Sequence, residues 1–410
     1  MIRRLWPLVA AAAALGVDAY VLAGVLPSIA DSLAATVAAV GLGVTAFTAA
    51  YALAGPLLSG ALIRRSAAAA LLIALGVFNL GNLLTVLAPR IEVFLASRVL
   101  AGAGAGVLTA VATATATAMA PDRQRGRAMA LVTFGLSTGT VVGVPIGMLV
   151  GDRLNWRWTM GLVVAVGLVS MVALAAGART IPPLPAPPGP AFTVLRSPRT
   201  LVGTAAAFLL GVASLGLYTY LLPLAESRGL QGWGFALVWA WGIGGVTGSA
   251  LVGRALDAYG PRPLLIALPA ALLAGFAAFW LCAVPAVWLA AAALWGAAGW
   301  ASVPTLQQAL TADRPREAMP IVAFQMAAMY LGSAAGAAAG SSLLAHGADP
   351  HELPAWALAP TALALVLTGR LGAGALGARR ENAVPATPPT AGRKEQRGPD
   401  GTAEPQGCRP

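Results

Sequence analysis

Charge is what this sequence has least of: 10% of its 410 residues are Asp, Glu, Lys or Arg, whereas a soluble domain carries about 25%. So few charges cannot cover a water-facing surface, which excludes an ordinary soluble enzyme. Histidine and cysteine are scarce too, at two residues each. Cys282 lies in an apolar run and Cys408 in a polar tail, so no disulfide framework is built. His346 and His351 fall near one loop without further ligands, so neither a metal centre nor a cofactor is expected. With no clustered nucleophile and no extra-membrane domain, an intramembrane enzyme or sensor is a remote alternative.

What is present is long apolar sequence, with 58% hydrophobic residues. A bilayer core about 30 Å thick takes roughly 20 apolar residues as a helix. The chain offers twelve such spans, at 5–27, 36–60, 67–88, 92–118, 128–151, 159–177, 201–224, 232–253, 263–283, 286–311, 320–346 and 354–377. In lipid each must be helical, because its backbone groups find no water. The expected fold class is therefore an all-α integral membrane protein. The first apolar run is too long for a cleaved signal peptide and reads as a retained span.

The net charge of +11 does not signal nucleic acid, because the arginines alternate between loops. Arg64, Arg65, Arg123, Arg125, Arg127, Arg179, Arg196, Arg199, Arg254, Arg262, Arg314 and Arg316 fall in even loops, against Arg90, Arg153, Arg157 and Arg228 in odd ones. By the positive-inside rule both termini are cytoplasmic, in the inner membrane of a bacterium. The segment 181–190, rich in proline, is expected to be extended, and the tail from Arg379 to be disordered.

That proline-rich stretch divides the chain into a six-helix half at 1–180, a cytoplasmic linker at 181–200, a second half at 201–378 and the tail 379–410. The halves repeat. Leu15-Gly16-Val17 and Leu26-Pro27 recur as Leu210-Gly211-Val212 and Leu222-Pro223, and Gly60 recurs as Gly253. Two halves in parallel repeat place a substrate cavity between them, with transport by rocking of one half against the other.

Asp18 is the outstanding residue, since an acid deep in a span costs about 2.5 to 3.5 kcal/mol to insert. Its repeat counterpart is Ala213, as suits a single proton or cation site; a helix-packing hydrogen bond is the bland alternative. Arg98 lies at similar depth in the fourth span and either tunes Asp18 or bonds backbone carbonyls. Gly102-Ala-Gly104-Ala-Gly106 is a stripe for close helix contact. Gly139, Gly143, Pro145 and Gly147 in the fifth span predict a kinked, tightly packed helix. Gly253, Asp257, Gly260 and Arg262 join a tight turn to opposite charges at the membrane face. Tyr51, Asn79, Tyr218, Tyr220, Gln307, Gln308 and Gln325 are candidate cavity-lining groups or else satisfied packing polars. Trp6, Trp156, Trp158, Trp233 and Trp356 read as interfacial anchors, and the deeper Trp239 and Trp241 are unassigned.

Taken together, these residues resemble the major facilitator superfamily, and within it the twelve-span drug:proton antiporters, from Leu5 to Leu376. Asp18 with Leu26-Pro27 looks like the family's first-span signature. Arg98 to Gly106 looks like its fourth-span motif, whose arginine is linked to proton coupling. Gly143-Val-Pro145-Ile-Gly147 with Trp156-Arg157-Trp158 resembles its antiporter motif, most like that of bacterial chloramphenicol-resistance and sugar- or nucleoside-efflux proteins. The cytoplasmic gating motif departs: Gly60 and Arg65 remain, but Arg64 stands at its Asp position and Ala67 at its second Gly. The second-half version, with Gly253, Asp257, Gly260 and Arg262, is intact. The resemblance implies a proton-coupled exporter of a small drug or metabolite, possessing no cofactor, working as a monomer and partnered by protons, substrate and lipid. Facilitated movement of a sugar or nucleoside is the alternative.

Overall fold

The computed structural model describes residues 2–184 and 189–381, so Pro185 to Pro188 of the linker, Cys408 and the tail from 382 onward lie outside the described residues. The side chains of Leu26, Pro27 and Pro145 also lie outside them. Every regular element among the described residues is helical.

The helices line up as twelve rods. In the first half these are α1 (Ile2–Val21), α2 (Val37–Ile63), α3 (Ala67–Leu87), α4 (Ile91–Ala118), α5 (Arg125–Thr138, a π-turn at Gly139–Gly143, then Val144–Arg153) and α6 (Trp156–Gly177). In the second they are α7 (Pro198–Leu210, a π-turn at Gly211–Leu215, then Gly216–Tyr218), α8 (Gly234–Tyr259), α9 (Pro261–Leu281), α10 (Pro285–Thr311), α11 (Ala318–Ala345) and α12 (Leu353–Glu381). Among the described residues ten rods have the unbroken length and apolarity to cross a bilayer; α1 and α5 are the other two.

Local chemistry sets the ends. Thr36 and Ser66 accept hydrogen bonds from the amides of Ala39 and Ala69, at 3.1 and 3.0 Å, and cap α2 and α3. Asn155 caps α6 by accepting from the Arg157 amide at 2.9 Å. Proline opens α7, α9 and α10, where its missing N–H costs no helical bond. Between α8 and α9 the chain reverses at Gly260 with φ of 72°, a conformation that favours glycine.

Two expectations need correction. The first span does not run unbroken to residue 27, since α1 ends at Val21 and passes through a 3-10 turn into the short helix Leu26–Ser32. The kink of the fifth span is the π-turn at Gly139–Gly143, with the proline in the first turn after it, where its lack of an N–H is tolerated. Directly after the segment 181–190, Ala191–Arg196 winds into a 3-10 helix against α2 and α11.

The packing repeats with a shift of six rods. Contacts α1·α5, α1·α6, α2·α4, α3·α4 and α3·α6 recur as α7·α11, α7·α12, α8·α10, α9·α10 and α9·α12. Glycine makes the corresponding contacts: a Cβ at Gly16 or Gly139 would strike a carbonyl oxygen across the α1–α5 seam, and one at Gly211 or Gly332 across the α7–α11 seam. The halves meet along α5·α8 and α2·α11. Loops alternate between the two ends. At one end Arg199 bonds Asp313 at 2.7 Å and Arg314 bonds Ser197 at 2.8 Å, while at the other Arg157 bonds Ser32 at 2.8 Å and Arg228 bonds the Trp280 carbonyl at 2.7 Å. The first end carries the arginine-rich loops.

The seams predict sharply different costs for one methyl group. Gly16→Ala must force α1 from the Leu136 carbonyl, and is expected to lower stability by about 1–3 kcal/mol. Gly76→Ala, with nothing within 4 Å of the added carbon, is expected to be neutral or to stabilise by up to about 1 kcal/mol. Thermal unfolding of both variants in detergent checks the ordering.

Candidate functional site: a buried ion pair and two small compartments

Asp18 of α1 and Arg98 of α4 form an ion pair, with Nη1 to Oδ1 at 3.0 Å and side chains 0% and 1% exposed. Asn82 of α3 completes a triangle. Its Nδ2 donates to Asp18 Oδ2 at 3.2 Å, and its Oδ1 accepts from Arg98 Nη1 at 2.9 Å. Small residues pack α4 closely against its neighbours. Gly102 and Gly106 set α4 against the backbone of Phe47 and Tyr51 in α2, and Gly81 sets α3 against Ala101. The guanidinium then lies over the Phe47 ring, 4.6 Å from its centroid. One turn outward, Thr85 and Ser97 share a 2.7 Å hydrogen bond between the same two helices.

Arg98 therefore bonds side chains where backbone carbonyls were the alternative, and it meets Asp18 directly. Asn82 was missed. The signal was there, an amide within an apolar span, but Asn79 one turn earlier attracted the assignment. Asn79 packs against Gly167 of α6, and neither of its amide atoms finds a hydrogen-bond partner among the described residues.

Two small compartments adjoin one another, the first lined by the second half alone and the second by residues of both halves. The first, of about 30 Å³, is lined by residues including Ser214, Trp241, Trp300, Ser302, Gln325 and Met329. The second, of about 20 Å³, is lined by residues including Ala12, Leu15, Thr109, Thr113, Thr133 and Gln307. Val303 lines both, and Gln307 Nε2 donates to Gln325 Oε1 at 3.3 Å between them. Of the candidate lining groups, Gln325 and Gln307 face these spaces, and Tyr218 adjoins the first through its stack on Trp241 at 4.1 Å. The others sit elsewhere. Tyr51 is buried edge-on against Tyr330 at 4.6 Å, Tyr220 donates to the Ala337 carbonyl of α11, and Gln308 lines a hollow of about 450 Å³ at the arginine-rich end. Trp241 and Trp300 are lining residues that polarity alone did not flag. Trp239 packs edge-on against Phe235 at 6.1 Å.

Trp156 requires a correction: it is fully buried, edge-on to Phe94 at 6.5 Å, and so is no interfacial anchor. Trp6, Trp158, Trp233 and Trp356 are exposed.

At the arginine-rich end, α5 and α8 lie against one another at Gly253, whose added Cβ would meet the Arg127 backbone. Asp257 accepts from the Arg127 amide at 3.2 Å, so its carboxylate stands at the positive end of α5. Midway along the seam Ser137 donates to Ser249 at 3.2 Å. At the repeat-related end of α2, Gly60 and the exposed Arg64 border a hollow of about 510 Å³ with Pro190 and Met319. Arg65 is exposed as well, and Arg262 stands in the first turn of α9. There the α2–α11 contact is bridged by Ala191–Arg196, with Phe192 against Phe324 at 5.1 Å. Gly147 packs on Val21, and its carbonyl accepts from Thr159 at 2.7 Å, tying α5 to α6.

Residues 8–341 match the family model described as Major Facilitator Superfamily. The chain belongs to the major facilitator superfamily. It is accordingly a multi-pass membrane transporter and not an enzyme. It is 30% identical to a chloramphenicol resistance protein of Streptomyces lividans over 83% of this chain and 89% of that one. It is 29% identical to the MFS-type transporter YfhI of Bacillus subtilis, over 86% of this chain and 90% of the relative. In fold it is similar to the major facilitator FucP in its outward conformation, with a TM-score of 0.71 at 15% identity, covering 90% of this chain and 98% of that one.

The triangle predicts non-additive stability in this facilitator. Removing one partner of a buried pair strands the other and costs about 3–5 kcal/mol, whereas removing both costs less. Arg98→Met is therefore expected to destabilise more than the double variant Asp18→Asn with Arg98→Met, as read by unfolding in detergent. A double variant at the sum of the two single losses sinks the pairing. At the latch, Asp257→Ala is expected to weaken the closed α5–α8 end by about 0.3–2 kcal/mol, read as faster labelling of a cysteine placed at Ser137.

Proposed function

We propose that the chain is a proton-coupled antiporter that exports a small drug or metabolite across a bacterial inner membrane, its arginine-rich end facing the cytoplasm. The observation that carries this reading is the Asp18–Arg98 pair at 3.0 Å, sealed from solvent. A carboxylate in such surroundings stays charged only while its cation is near, because desolvation favours the neutral acid. Movement of α4 relative to α1 that parts the two groups makes proton uptake by Asp18 the low-energy response, and their return expels the proton. Coupling follows if the parted and joined arrangements open to opposite sides.

Three further features support the reading. The single carboxylate faces Ala213 in the repeat, as one coupling site requires. The π-turns in α5 and α7 interrupt rods that pack on α1 and α11, where a change of bend alters the seams. A relative over most of the chain is named for chloramphenicol resistance. Each proton entering across 100 mV releases about 2.3 kcal/mol, and each pH unit adds about 1.36.

Inverted membrane vesicles acidified inside are expected to accumulate labelled substrate, roughly tenfold per pH unit for one proton exchanged. Asp18→Asn is expected to bring accumulation to the level of empty vesicles. Gradient-driven pumping by the asparagine variant would falsify the proton role, and accumulation only in right-side-out vesicles would assign uptake of a sugar or nucleoside in place of export.

A further inference from the structure

Three buried indole N–H groups find no hydrogen-bond partner among the described residues, those of Trp156, Trp241 and Trp300, and the last two belong to residues that together line the first compartment. Trp241 is 2% and Trp300 5% exposed, and neither Nε1 meets an acceptor among the described residues. Other buried tryptophans of this half are satisfied. Trp295 donates to Ser214 Oγ at 2.8 Å and Trp288 to the Cys282 carbonyl at 2.7 Å. A buried unmet donor is costly, and native interiors rarely keep two together without a ligand or water to receive them.

The surroundings narrow what that acceptor can be. Neither compartment is lined by Asp, Glu, Lys, Arg or His, so a charged ligand would leave water without a counter-ion. Two indoles line the first compartment, Trp300 tilted to Trp241 with centroids at 6.2 Å, and Tyr218 stacks on Trp241. Such walls favour an offset-stacked aromatic ring. Gln307 Oε1 also lacks a partner and offers one acceptor to a ligand hydroxyl or amide N–H.

We infer that Trp241 and Trp300 are the substrate-recognition residues, and that the ligand they take is an uncharged aromatic molecule bearing hydrogen-bond acceptors. This deepens the export reading above and rests on it for the word substrate. Compartments of about 30 and 20 Å³ are far below the ~300 Å³ of ligand pockets, so the occupied state joins them across Val303. The bond that must open is the Gln307–Gln325 contact, at 3.3 Å already near the long limit for a hydrogen bond.

The test is equilibrium binding to the purified full chain in lipid nanodiscs with no gradient present. The probes are chloramphenicol and florfenicol (uncharged aromatic amides), tetraphenylphosphonium (an aromatic cation) and xylose (uncharged and not aromatic). Wild type is expected to bind the two amides, to bind tetraphenylphosphonium at least tenfold more weakly, and to ignore xylose. Trp241→Phe and Trp300→Phe keep a smaller aromatic ring at each position and remove one donor each, and are expected to weaken amide binding about 3–10-fold. Three results overturn the inference: no binding of either amide, which marks a hydrated void only; tetraphenylphosphonium binding as tightly as the amides; or both phenylalanine variants at wild-type affinity. The wild-type ordering of probes decides even if a variant fails to fold. Because binding needs no proton gradient, amide binding without pH-driven pumping would sink the antiport reading alone.

Discussion

Close backbone contact between helices is the constraint on which the rest of this structure depends. Lipid tails are as apolar as leucine, so a bundle in a bilayer is held by short-range packing and by polar bonds between helices. Both fall away within an ångström or two. Glycines at 16, 102, 106, 139, 211 and 332 bring carbonyls of one helix where a neighbour's side chain would otherwise stand. Gly81 and Gly104 hold α3 to α4 in the same way, and there the short groups Asp18 and Asn82 both reach the Arg98 guanidinium. The polar triangle is thus a consequence of the seams, and a methyl group at one of them threatens the site as well as the stability.

The two halves share a backbone plan and differ in their polar groups, and the differences are where function enters. Asp18 faces Ala213 in the repeat, and Asp257 faces Arg64. One carboxylate is central in the first half, and the other is at the rim in the second. The rim carboxylate stands at the start of α5 and ties α8 to it. On the repeat-related α2–α11 seam the linker helix Ala191–Arg196 spans both partners in its place. The aromatic lining likewise belongs to one half, since Trp241 and Trp300 lie in α8 and α10.

Much of this architecture was legible because membrane helices are written in long apolar runs, and the rods at 67–87, 91–118 and 285–311 agree with the expected spans to about one residue. The repeat was legible from Gly16 and Gly211, and the buried pair from two charges at similar depth. What the sequence could not resolve was which face of a uniformly apolar helix looks inward. With no polar stripe to orient α3, Asn79 and Asn82 were indistinguishable, although only one meets Arg98. For the same reason Trp156 read as an interfacial anchor near a span end, when the turn after Asn155 folds it inward. The breaks in α5 and α7 are π-turns among glycines, which carry no polar mark.

The separation of charge from cavity limits how coupling can work. No residue of the Asp18–Arg98–Asn82 triangle lines either compartment, and no lining residue is charged. On the proposed antiport reading, substrate and proton therefore do not compete for one carboxylate by direct contact. They are nonetheless joined by one rigid element, since Ala12 and Leu15 of α1 line the second compartment and Asp18 lies one turn further along. A ligand that widens the cavity must displace that face of α1. A displacement of one or two ångströms at Leu15 carries to Asp18, where a 3.0 Å ion pair has no slack to absorb it. A helix shared between a neutral pocket and a buried ion pair is enough to link binding to protonation, provided the pair has two states and the cavity favours one of them.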